Sequence, residues 1–428
     1  MRKKIPVEHV QIGMYVCELC GSWMDHPFWR TAFKVQDPQD LADLHSSNVR
    51  EVWIDTKKGV DAPHGVHTEI AEEVEHRVDE TLEQIGADTS PTSVYAPDTE
   101  IDFHRAAKLY LQSKDAVYSM FQEARMGQSI NADQARKVVE DISSSVMSNP
   151  DALVSLTRIK QADEYTYMHS VAVCALMMTL ARQLQLGDEE VREAGLAGLL
   201  HDLGKAGIPN EILNKPGRLT EAEFEIIKTH PELGHNKLAR NNTISPLVLD
   251  VCLHHHEKMD GTGYPNGLSA ENISLFAKMG AVCDVYDAIT SNRPYKAGWN
   301  PAESLRKMAE WTPHHFDKNI FHAFVKSVGI YPTGSFVRLS PSERLGVVIE
   351  QNRENLLKPK VKVFYSVKAR EFIMPRVIDL RESSCKETIS GREEPADWNI
   401  GMHQVNQMWS GIDCRSLASK TLAGKSRA

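Results

Sequence analysis

Ala194-Gly-Leu-Ala-Gly-Leu-Leu-His201-Asp202-Leu-Gly-Lys205 is the stretch that decides the fold. It reads as an apolar helix that ends on a histidine and an aspartate. Neighbouring residues on a helix point about 100° apart. A His-Asp pair can therefore serve two metal ions, the carboxylate bridging and the imidazole terminal. A lone His-Asp pair is ordinarily a surface dipeptide. Here it sits inside an apolar stretch, where an unpaired charge is costly, so a ligand role is favoured.

Further along, residues His254 to Pro265 read His-His-His-Glu-Lys-Met-Asp-Gly-Thr-Gly-Tyr-Pro. Imidazoles, acidic groups and a glycine turn fall within one short loop. Seven of the 18 histidines lie between His169 and His256. Imidazole and carboxylate together suit a divalent metal such as Fe, Mn or Zn. His230 is read as late in the helix that contains Phe224, just before Pro231. His235 lies about 140° round that helix from His230, so the two do not share a metal, and His230 is preferred. Among His254, His255 and His256, adjacent rings point in different directions, and at most two can ligate. Asp284 follows the apolar run Phe276 to Cys283 and needs a partner there, for which a metal is the natural choice.

Around this centre the chain divides into several parts. With 428 residues it exceeds one ordinary domain. Residues 1–100 read as a small α+β domain, with strands near Gly13 to Cys17 and Val49 to Asp55 and one helix between them, Asp40 to Leu44. A charged helix (Thr68 to Ile85) and a proline-containing linker (Ser90 to Asp98) follow. Residues 101–150 form a helical connector, Ile101 to Arg125 and Ala132 to Met147, with Asn131 as N-cap of the second helix. Residues 151–332 are almost wholly helical, and residues 333–400 alternate as a β-rich module. The tail, residues 401–428, reads as irregular.

Composition narrows the functional classes. A net charge of −9 argues against bulk binding to nucleic acid or an anionic membrane. The longest apolar run, Val171 to Ala181, is too short to span a bilayer. The N-terminus does not read as a signal peptide. Seven scattered cysteines suit reduced thiols in a cytoplasm. Cys17 and Cys20 form a lone C-x-x-C and are read as strand packing.

These motifs stand in an order that resembles the HD-GYP subfamily of HD-domain metal phosphohydrolases, which hydrolyse bacterial cyclic dinucleotides, chiefly cyclic di-GMP. The resemblance covers about Asp163 to Tyr331. It rests on His169-Ser170, His201 to Lys205, Ile212 to Leu219, His230 to Gly234, His255 to Pro265 and Asp284 to Tyr295. The first hundred residues are similar to a small domain of unknown function often fused ahead of it.

The resemblance implies an all-α HD-type catalytic domain flanked by the α+β and β-rich modules. It implies the metal ligands His169, His201, Asp202 (bridging), His230, His255, His256 and Asp284, with His254 outside the pattern. Lys205 would hold the scissile phosphate and Arg293 and Lys296 would contact phosphates. Tyr264 and the turn from Gly261 to Gly263 would shape the substrate loop. Asp287 would orient a water or a ligand, and Glu257 or Asp260 would fix imidazole tautomers or bond the loop backbone. The implied cofactors are two divalent ions, Fe or Mn first, with Zn, Ni or Mg accommodated. Some members bind a third through a glutamate four residues before the first histidine ligand. That position is Tyr165 here, with Glu164 one residue off, which implies two metals.

The implied reaction is hydrolysis of cyclic di-GMP by a metal-bridging hydroxide to the linear dinucleotide and, after a second cut, GMP. Substrate alternatives include 3′,3′-cyclic GMP-AMP. A degenerate ligand-binding signalling protein competes with this reading, but every expected ligand is present. Another nucleotide phosphohydrolase or a di-iron oxygenase would lack the Gly-Tyr-Pro loop. A second copy of the chain or a signalling protein is the implied macromolecular partner, with no nucleic-acid polymer and no membrane span.

Overall fold

The computed structural model describes residues 1–20, 32–47, 49–88, 103–157, 165–215, 217, 219–291, 298–312 and 314–411. The chain begins with β1 (Arg2–Pro6), β2 (Tyr15–Leu19), β3 (Phe33–Lys34), α1 (Pro38–Ser46), β4 (Glu51–Asp55) and β5 (Glu69–Ile70). The strands form one antiparallel sheet in the order β3-β2-β4-β1-β5. Ile5, Met14, Val16, Leu44, Val52 and Ile54 fill its core.

β1 is a strand that the sequence disguises. It pairs with β4 in the register Lys3↔Ile54 and Ile5↔Val52. Lys4 is nonetheless buried, because Glu69 and Glu51 take its ammonium at 2.7 and 3.3 Å. A buried lysine breaks the apolar alternation by which a strand is read. Cys17 in β2 donates to the Trp53 carbonyl, Cys20 lies just beyond β2, and both pack against the core cluster that the helices share with Trp53. Burial pushes both thiols up, away from the reactive thiolate.

Next come α2 (Ala71–Ala87), α3 (Phe103–Arg125), α4 (Ala132–Ser148) and α5 (Pro150–Thr157). Asn131 caps α4 by accepting from Gln134 N at 3.1 Å. The linker read at Ser90 to Asp98 lies outside the described residues. The bundle continues with α6 (Tyr165–Gln183), α7 (Asp188–Leu200), α8 (Asn210–Leu213), α9 (Glu221–Ile227), α10 (His230–Leu238), α11 (Pro246–His254), α12 (Leu275–Thr290), α13 (Pro301–Trp311) and α14 (Lys318–Val328). α6 and α12 are apolar on nearly all sides and therefore lie at the centre. α6 packs against α7, α12 and α14.

His230 does not sit late in a helix but opens α10. Pro231 has no N–H and its ring clashes with a carbonyl four residues back. The chain therefore stops at Ile227 and restarts with the proline in a first turn, where it is tolerated.

The C-terminal module holds β6 (Phe336–Ser340), β7 (Arg344–Glu350), β8 (Lys360–Ser366), β9 (Glu371–Asp379) and β10 (Thr388–Arg392), antiparallel in the order β10-β6-β7-β8-β9. Alternation splits its side chains between two faces. Phe336, Leu345 and Val347 pack on one cluster, Val337, Leu339 and Val348 on another. Residues 402–410, read as irregular, form α15 (Met402–Ser410). Its only strong apolar signal is Val405 and Trp409, one turn apart, and both are buried. Trp409 meets Phe103 of α3 edge-on at 5.1 Å, so a contact distant in sequence holds the helix. No helix among the described residues is long and apolar enough to cross a membrane.

Candidate metal centre

Five helices and one short turn bring the predicted ligands to one buried place. His201 caps the C-terminus of α7, and Asp202 precedes the 3-10 turn Leu203–Gly207. His169 comes from α6, His230 from the first position of α10, His255 and His256 from the end of α11, and Asp284 from mid-α12. All seven are at most 7% exposed.

Asp202 is the centre of the arrangement. Its Oδ2 lies 3.5 Å from His169 Nε2 and 3.4 Å from His201 Nε2. Its Oδ1 lies 3.2 Å from His230 Nε2 and 3.9 Å from His255 Nε2. Asp284 spans the site in the same way, with Oδ1 at 2.9 Å from His169 Nε2 and Oδ2 at 3.8 Å from His256 Nδ1. Two groups of possible ligand atoms result, one of Asp202, His230, His255 and His256 and one of His169, His201 and Asp202. The carboxylate of Asp202 belongs to both.

Four of the five imidazoles are aimed from behind. His201 Nδ1 faces the Gly198 carbonyl at 2.8 Å, and His230 Nδ1 the Ile227 carbonyl at 2.7 Å. His255 Nδ1 lies 3.1 Å from the carbonyls of Val251 and Cys252. These contacts turn Nε2 toward the centre. Asp287 stands 2.7 Å from His169 Nδ1 and does the same for that ring. Glu257 and Asp260 do not reach an imidazole. Glu257 accepts from Asn266 N and Leu268 N, and Asp260 from Thr262 N, so both shape the loop backbone. The carbonyls were invisible in the sequence because every residue carries one.

Electrostatics favours lone pairs facing inward. Burial pushes the imidazoles of His230 and His256 down, and that of His255 down to about 3, so they stay neutral. Burial works against charge on Asp202 and Asp284. Lys205 and His201 beside Asp202, and His169 beside Asp284, overcome it and hold both carboxyls well below their usual range. Lys205 donates to Asp202 Oδ2.

These residues fit divalent metal. His201 Nε2 and Asp202 Oδ1 are buried and make no hydrogen bond, an arrangement that protein interiors rarely tolerate. Five imidazoles and two carboxylates form a donor set for borderline first-row ions.

Other expected residues fall around the cluster or beyond it. His254 is held away by Asp250 at 2.8 Å and Asn266 at 3.2 Å. His235 is half-buried beside Asn236 and outside the cluster. The Tyr264 ring stacks on His256 at 4.7 Å between centroids. Gly261 has φ +75°. At Gly263 a Cβ would lie 2.4 Å from Glu257 Cα, so only glycine closes this turn. Arg293, Lys296, Glu164 and the Tyr165 side chain lie outside the described residues.

Comparison with known proteins identifies the family. The HD domain family matches residues 139–320, and the domain of unknown function DUF3391 matches residues 2–135. The chain is 52% identical to the cyclic di-GMP phosphodiesterase PA4108 of Pseudomonas aeruginosa, over 96% of each chain. It is 39% identical to the cyclic di-GMP phosphodiesterase response regulator RpfG of Xanthomonas campestris pv. campestris, over 40% of this chain and 47% of that one. A 3′3′-cGAMP-specific phosphodiesterase of Vibrio cholerae is 36% identical over 39% of this chain and 36% of its own. HD-domain phosphohydrolases bind divalent metals, and the His/Asp cluster is suited to them. The chain belongs to the HD-GYP phosphodiesterases of the HD superfamily of metal phosphohydrolases, carrying a DUF3391 domain at its N-terminal end.

Proposed function

We propose that this chain hydrolyses cyclic di-GMP to the linear dinucleotide and then GMP, in the cytoplasm, with two divalent ions, Fe or Mn. The observation that carries the reading is Asp202, whose two oxygens face two different sets of imidazoles. A single-ion site needs no such carboxylate. The six cysteines described are free, which fits a reducing compartment.

His169 and His201 would hold one ion, and His230, His255 and His256 the other, with Asp202 between them and Asp284 completing the set. Bound metals supply Lewis acidity, lowering the pKa of water and neutralising phosphate charge. Lys205 would place its ammonium against a non-bridging phosphate oxygen, a role for which its position beside Asp202 suits it. Asp287 would hold His169 in one tautomer. Tyr264 would present its edge to the substrate while its face rests on His256. Arg293 and Lys296 remain proposed phosphate contacts.

Cyclic GMP-AMP is the second candidate substrate, favoured by the likeness to the Vibrio enzyme. The likeness to the Pseudomonas enzyme is higher and spans 96% of the chain, so cyclic di-GMP comes first. The test is turnover of both cyclic dinucleotides by Mn-loaded full-length protein, with products separated by chromatography. The His201→Ala/Asp202→Ala double variant should be inactive. Absence of turnover on either compound by metal-loaded protein would sink the proposal, and faster turnover of cyclic GMP-AMP would reverse the substrate order.

A further inference from the structure

The substrate loop meets the N-terminal domain at the carboxylate of Asp260. Arg50, just before β4, places Nη1 3.2 Å from Asp260 Oδ2. The other oxygen of Asp260 accepts from Thr262 N at 3.0 Å and Thr262 Oγ1 at 2.6 Å. Asp260 thus joins the N-terminal sheet to the turn that ends in Tyr264. Tyr264 in turn donates its N–H to the His256 carbonyl and stacks on that ring.

Glu257 braces the far side of the loop by accepting from Asn266 N and Leu268 N. Behind it lies a cleft of about 310 Å³ between the two domains, lined by Lys4, Cys20 and Glu51 on one side and Thr262 and Trp311 on the other. Two backbone bonds, Met259 N to the His315 carbonyl and Asp260 N to the His314 carbonyl, are the loop's anchors to the bundle there. The N-terminal domain itself is docked independently. Trp53 Nε1 donates to Glu310 at 3.0 Å and Lys307 reaches Glu18 at 2.6 Å, both through α13. Among the described residues the Arg50 side chain pairs with Asp260 of the loop, and the docking contacts through α13 do not involve it.

We propose that Arg50 is a positioning residue for the phosphodiesterase reaction, acting through Asp260 on the Gly261–Tyr264 turn. The DUF3391 domain then serves the active site directly. Loss of Arg50 frees the tip to move into the cleft, loosening the surface against which substrate rests. Ligation through His255 is untouched, because His255 caps α11 and its Nδ1 faces the Val251 and Cys252 carbonyls. This inference rests on the proposed cyclic di-GMP activity for its kinetic part only.

The experiment compares full-length wild type with Arg50→Ala, Arg50→Glu and Arg50→Lys. Hydrogen exchange of the peptide spanning residues 256–268 is measured on metal-loaded protein without substrate. An exposed ion pair supports an effect of about two- to fivefold. Exchange at the turn should therefore quicken about two- to fivefold in the alanine variant, more in the glutamate variant, and little in the lysine variant. KM for cyclic di-GMP should rise in the same order, with kcat changed less and metal content constant. Unchanged exchange in Arg50→Glu overturns the inference, as does a loss of metal or an Arg50→Lys variant no better than glutamate. If wild type does not cleave cyclic di-GMP, the proposed substrate fails while the exchange result still decides the role of Arg50.

Discussion

Asp287 Oδ2 lies 2.7 Å from His169 Nδ1, with both side chains almost fully buried. The contact directs His169 Nε2 at Asp202 and Asp284 and leaves Asp287 one layer behind the centre. Asp287→Ala should weaken metal binding by about 10- to 100-fold, the range for such supporting partners. Competition against a coloured chelator measures it. Affinity within twofold of wild type would show that Asp287 does not orient the ring.

Gly204, in the His-Asp-Leu-Gly-Lys motif, lies against α10. A Cβ there would stand 1.8 Å from the His230 carbonyl and 2.6 Å from Gly234 N. Backbone cannot give way as a side chain can. Gly204→Ala should cost about 3 kcal/mol, the upper part of the usual overpacking range, and should move His230 away from Asp202. Urea unfolding and metal analysis check it; a variant with wild-type midpoint and metal content would contradict the close approach.

Metal removal should destabilise the catalytic domain. Binding to the native state alone stabilises by about 4 kcal/mol when free metal is a thousand times Kd. Chelator-treated protein should melt lower in calorimetry and regain its Tm when Mn is returned. An unchanged Tm after verified removal would mean that the cluster stands without an ion.

Acid should weaken the N-terminal domain through Glu69. Burial opposes its charge, but Arg77 and Lys4 outweigh burial and hold the carboxyl at about 2, below its ordinary 4.5. A depressed native pKa stabilises above the unfolded value and loses that stability as pH falls toward the native one. Glu69→Gln should therefore be less stable than wild type at neutral pH, with the gap closing between about pH 4.5 and 2. Urea midpoints across that range provide the measurement; a pH-independent gap would refute the ion-pair account.

The all-α centre between two strand-bearing modules was legible from local pattern. α4, its Asn131 cap and the strands β6 to β8 depend on residues a few positions apart. β1 and α15 were not legible. The first hides a buried lysine matched by Glu51 and Glu69, and the second leans on Phe103, far away in sequence. The break before His230 was misplaced because the effect of Pro231 was read as ending a helix rather than starting one.

By itself the sequence determined the candidate donor chemistry: histidines and aspartates of the right kind, in an apolar setting, beside a glycine-bearing loop. Side-chain type and short-range spacing carry that information. Tertiary structure alone decided that the oxygens of Asp202 face different imidazoles, that Asp287 backs His169 from 118 residues away, and that Arg50 meets Asp260. Such contacts join helices and domains whose mutual placement is set by the packing of the whole core, which no local spacing records.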